Sequence, residues 1–91
     1  MNFEEYRRHD ATSLAALVAK RDVQPVELLR LAIDRARAVS HLNAIVTPMF
    51  DQASERVQIP RVGPFAGVPF LPKDLMQEYA GVPNSIGNRA L

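Results

Sequence analysis

Ninety-one residues, 47% of them hydrophobic, with a formal charge of +1, allow one small domain, which on folding buries roughly 60 to 65% of the surface of its unfolded chain. Eight acidic and eight basic residues are interspersed between Met1 and Ile59, so no electrostatic footprint for nucleic acid or an anionic membrane is present. Cysteine is absent, which excludes disulfides and thiolate metal sites.

Taken from its start, MNFEEYRRHDATSL mixes acids with bases and has no apolar core of signal-peptide length. No stretch approaches the ~18 apolar residues of a membrane span. The expectation is a soluble, cytoplasmic chain with neither membrane nor nucleic-acid partner. Six of the seven prolines follow Thr47 and all four glycines follow Val62, so the first part is free to be helical while the second must turn often.

Asp10 or Thr12 can cap a first helix with Leu14, Leu17 and Val18 on one stripe, ending near Arg21. Pro25 then suits the first turn of a second helix, where its missing N–H has no partner to lose; Gln24 is a poor cap in front of it. Leu29, Ile33 and Ala36 follow i, i+4, i+7 spacing, and Leu28, Ala32 and Val39 broaden the stripe. Asn43 to Thr47, NAIVT, is short, β-branched and stopped by Pro48, and reads as a strand of about five residues. Phe50 to Gln58 follows as a shorter helix with Ala53 and Val57 inward. Pro60, Gly63 and Pro64 form a loop, and Val68 to Leu71 a second strand, with Pro72 confined to its edge or end. The chain thus divides into a helical part, 10–58, and a strand, turn and lysine part, 60–91, within one unit, 1–91.

Lys73 closes the apolar run Val68, Pro69, Phe70, Leu71. Strand ends that leave a buried sheet are where open α/β folds place ligand-handling groups, although the local pattern by itself more often describes a solvated lysine followed by an aspartate in a surface turn. His9 and His41 have no second ligand at metal-site spacing, and no glycine-serine elbow accompanies Ser13, Ser40, Ser54 or Ser85. No glycine-rich phosphate cradle is present either. Neither a cofactor nor a metal is expected.

Residues 63–74, GPFAGVPFLPKD, followed by 80–91, AGVPNSIGNRAL, resemble the amidase signature family around its catalytic lysine. Residues 10–53 are similar, less specifically, to the opening helices and first strand of that family. The resemblance implies the N-terminal portion of a mixed-sheet α/β/α fold, with two to three helices and two short strands. It also implies hydrolysis of a carbon–nitrogen amide bond by a serine, a second serine in a cis peptide, and a lysine. Lys73 stands at the lysine position. Ser85 and Gly87 fit the polar loop that follows, with Ser85 as a substrate-binding candidate, whereas Pro72, Asn84 and Asn88 depart from the commonest pattern. The implied partners are a small amide substrate and the remaining, C-terminal part of such a domain, because the serine-rich nucleophile segment is not among these residues. The other readings are a non-catalytic truncated remnant, a partner-binding helical module, and part of the amidase subunit of a transfer-RNA amidotransferase.

Overall fold

The computed structural model describes residues 1–45 and 47–72. The chain begins with a single helical turn, α1 (Phe3–Tyr6). Asn2 is extended and its side-chain oxygen accepts the Glu5 N–H at 2.9 Å. Glu4 and Glu5 put negative charge where the helix dipole favours it. The sequence pattern starts its first helix at Asp10 and misses this turn, which is too short to hold by itself. Within it Phe3 stacks on Tyr6 with centroids 5.9 Å apart, and tertiary contacts support it: the Arg35 guanidinium lies 4.9 Å over the Phe3 ring and Tyr6 packs on the core.

Helix α2 (Ala11–Ala19) is capped by Asp10, one of the two expected caps, whose carboxylate accepts the Ser13 N–H at 2.8 Å. Its other end is a Schellman closure. The Asp22 N–H donates to Leu17 O and the Arg21 N–H to Val18 O, both at 3.0 Å, with Arg21 in the left-handed region at φ 63°. Two helix-end carbonyls are satisfied this way, and the chain reverses so that Val23 turns inward.

Helix α3 (Pro25–Ala38) is the longest element among the described residues and begins at the expected proline. Gln24 is helped from elsewhere: the Glu27 carboxylate accepts its backbone N–H at 3.4 Å, one arm of a capping box. Beyond Ala38 a 3-10 turn, Ser40–Leu42, ends on Asn43 at φ 54°, a conformation that asparagine tolerates better than most residues. Helix α4 (Phe50–Arg56) follows, with Ala53 and the capping Val57 half-buried as its pattern requires.

Leu14 of α2, Val23 of the reversal and Leu28 of α3 form the buried core. Tyr6, Leu17, Val18 and Val68 pack around them. The stripe on α3 is correctly placed but its depth is not as the spacing suggests. Leu28 is fully buried, whereas Leu29 and Ile33 line a shallow open groove with Val26 and Phe50 of α4. Arg37 closes one side of that groove, its guanidinium 5.4 Å over the Phe50 ring.

The expected α/β class is not found. The described residues form helices and turns, with no strand among them. Neither Asn43–Thr47, as far as it is described, nor Val68–Leu71 is paired. A strand needs a neighbour for its N–H and C=O groups, and two segments of four or five residues are too short to sustain each other. Asn43 is instead committed to ending the 3-10 turn, and Val68 to a turn bond with Phe65 O at 3.2 Å. Prolines at 48, 69 and 72 remove further donors.

Candidate functional site

The path towards Lys73 is built from the helical core outwards. Gly63 to Gly67 form a turn in which the Ala66 N–H donates to Gly63 O at 3.3 Å, and the Val68 N–H then donates to Phe65 O. Both glycines have positive φ, 141° at Gly63 and 83° at Gly67, but in different surroundings. A Cβ at Gly63 would meet nothing within 4 Å. At Gly67 it would lie 3.0 Å from Pro25 Cγ and 3.1 Å from Val18 Cγ1. The turn therefore rests directly on the junction between α2 and α3, and Val68 beside it joins the core cluster.

Past Val68 the chain leaves the core. Phe70 and Leu71 are 75% and 74% exposed, and Phe65 in the turn is 57% exposed. The apolar run expected to enter a buried sheet thus projects from the helices, with Val68 and Pro69 half-buried and Phe70 and Leu71 exposed. Lys73, Asp74, Ser85 and the polar loop 84–87 lie outside the described residues.

The other candidates resolve into structural roles. His9 Nδ1 is 3.0 Å from Ser13 Oγ, and Asp10 completes a trio of the residue types found in a nucleophile relay. The geometry is that of a cap. The Asp10 carboxylate accepts from the Ser13 backbone, not from the imidazole, and the Ser13 hydroxyl also donates to Asp10 O at 3.2 Å. That backbone bond is the main reason the Asp10 carboxyl is held below its ordinary range. Ser54 spends its hydroxyl on Phe50 O at 2.7 Å within α4, and His41 sits exposed in the 3-10 turn. Partial burial raises the Tyr6 phenol. Among the described residues no three metal-ligating side chains gather, and no helix is long and apolar enough to cross a membrane.

What the sequence pattern does not reveal is the contact of Gly67 with Val18 and Pro25. Its trace in the sequence is weak: a glycine in a proline-rich turn signals a special φ, but not which distant residues crowd it.

The chain is 42% identical over 67 residues to the 6-aminohexanoate-cyclic-dimer hydrolase of Pseudomonas sp. (strain NK87), and equally so to the enzyme of that name from Paenarthrobacter ureafaciens. The match takes in 72% of this chain and 13% of each relative. No family model matches the chain, and no solved structure matches it.

Proposed function

We propose that this chain supplies the general-base segment of an amide hydrolase acting on an amide of an amino acid with a long aliphatic spacer, cyclic or linear. The observation that carries the reading is the 42% identity over 67 residues to two hydrolases whose named substrate is the cyclic dimer of 6-aminohexanoate. Such a dimer is closed by amide bonds, so the chemistry required is attack on a carbonyl and departure of an amine. The motif GPFAGVPFLPKD, with Lys73 next to its end, supports the assignment of the base.

A hydroxyl attacks well only when a base removes its proton, and a lysine serves only in its neutral form. Lowering its pKa from about 10.4 to about 7 corresponds to roughly 4 to 5 kcal/mol of differential interaction, which burial can supply and solvent cannot. In this reading Lys73 works when polypeptide beyond these residues encloses it and brings the serine nucleophile and the oxyanion donors. Exposed Phe70 and Leu71, apolar side chains just before the lysine, are suited to line such an enclosure. The 91 residues by themselves are then expected to be inactive, since a base without its nucleophile retains little catalysis.

The test is a hybrid in which this segment replaces its counterpart in a 6-aminohexanoate-cyclic-dimer hydrolase. Lys73→Ala should lower kcat by several orders of magnitude. Lys73→Arg should fail as well, because a guanidinium does not deprotonate at accessible pH. An active Lys73→Arg hybrid overturns the assignment.

A further inference from the structure

We infer that Gly67 is a positioning residue, the joint through which the α2–α3 junction fixes where the chain sets out towards Lys73. That this placement matters for catalysis rests on the reading of Lys73 given above; the joint itself rests on geometry alone. A side chain at position 67 would press on Pro25 Cγ at 3.0 Å, Val18 Cγ1 at 3.1 Å and Pro25 Cβ at 3.4 Å. Contacts at the two shorter distances require a neighbour to move, and neither neighbour is loose. Pro25 is a ring locked in the first turn of α3, and Val18 is β-branched within α2, with essentially one favoured rotamer. Gly67 is also at φ 83°, where any other residue is strained.

The joint matters because little else holds the segment. Val68 is packed on the core, while Phe65, Phe70, Leu71 and Pro72 are exposed. From Gly67 to Lys73 is six residues (73 − 67), which fully extended reach about 20 Å at most. Pro69 and Pro72 fix φ at two of them, so a displacement at position 67 is carried along a stiffened chain. A misplacement of about 1 Å at a reacting group can cost on the order of a hundredfold in rate.

Three variants separate contact from strain: Gly67→Ala, Gly63→Ala as a turn glycine with positive φ and no neighbour, and Gly67→Ala combined with Val18→Ala and Pro25→Ala, which deletes both crowding Cγ atoms. In the 91-residue chain, amide hydrogen exchange at Val68 should speed up at least about tenfold in Gly67→Ala relative to the shift that Gly63→Ala produces, and the combined variant should recover most of that loss. Exchange at Leu28 to Ala32 in α3 should stay as in the parent. In the hybrid hydrolase, Gly67→Ala should lower kcat by about a hundredfold with KM within about twofold, and move the pH midpoint of kcat towards that of an exposed lysine. The combined variant should restore both. Unchanged exchange at Val68 in Gly67→Ala, or a loss that the combined variant does not reverse, overturns the joint. Full activity of Lys73→Ala instead overturns the catalytic reading, and the exchange rates at Val68 then decide the joint on their own.

Discussion

The helical core and the turn segment behind it solve opposite problems with similar residues. Leu14, Val23 and Leu28 are leucine and valine buried to within a few per cent; Val62, Phe65, Phe70 and Leu71 are as apolar, yet stand in solvent. Apolar area removed from water contributes roughly 25 cal/mol per Å², so the first group holds the chain together and the second contributes almost nothing to it. Local backbone chemistry makes the difference. Caps, a Schellman closure and an N1 proline bring α2 and α3 together around a few side chains, whereas between Pro60 and Pro72 prolines and glycines leave no helix or strand to cover the rest. The contact of Gly67 and Val68 with the α2–α3 junction joins the two regions.

Breaking the core should have the largest effect. Leu28→Ala is expected to cost about 3 kcal/mol through lost burial and the cavity left behind; with so few buried residues, chemical denaturation should show most or all of the folding transition gone. Next comes the join. Gly67→Ala should destabilise by about 2 kcal/mol, combining backbone strain with overpacking, and by clearly more than Gly63→Ala, which has strain alone. Thermal melts of the two side by side measure the difference.

The third change strengthens the core side. Arg21 occupies a left-handed position at a helix end, so Arg21→Gly should stabilise by about 0.5 to 1 kcal/mol, seen as a higher melting temperature. A smaller effect belongs to the exposed segment, where Phe70→Ser should change stability by less than about 0.5 kcal/mol while reducing self-association in light scattering. The smallest concerns Asp10. Its folded-state pKa is lowered, first by the Ser13 N–H bond, so its contribution is present in full above the ordinary carboxylate range near pH ~4 and is lost as the pH falls below it. The melting temperature of Asp10→Asn, which retains a capping oxygen, should therefore fall less than that of the parent as the pH is lowered through that window.

Local signals were legible where the physics is local. Asp10 as a cap, Pro25 as the start of α3, and the apolar spacing of α2, α3 and α4 need only the backbone's orphan donors and a 3.6-residue period. Strand character in NAIVT and VPFL was misleading, because β-branching describes a surface that suits a sheet and cannot supply the neighbour. The turn α1 was missed for the converse reason: its four residues are held by Arg35 over Phe3 and by the packing of Tyr6 on the core rather than by propensity.

Helices α2, α3 and α4, the cap at Asp10 and the turn at Gly63 to Gly67 could be read from the residues, since each follows from interactions within a few positions of the chain. Which leucine of α3 lies deepest, and which residues crowd Gly67, emerged with the packed fold alone. Those depend on how the reversal at Arg21 sets α2 against α3, a geometry accumulated over many dihedral angles and written in no single stretch of the chain.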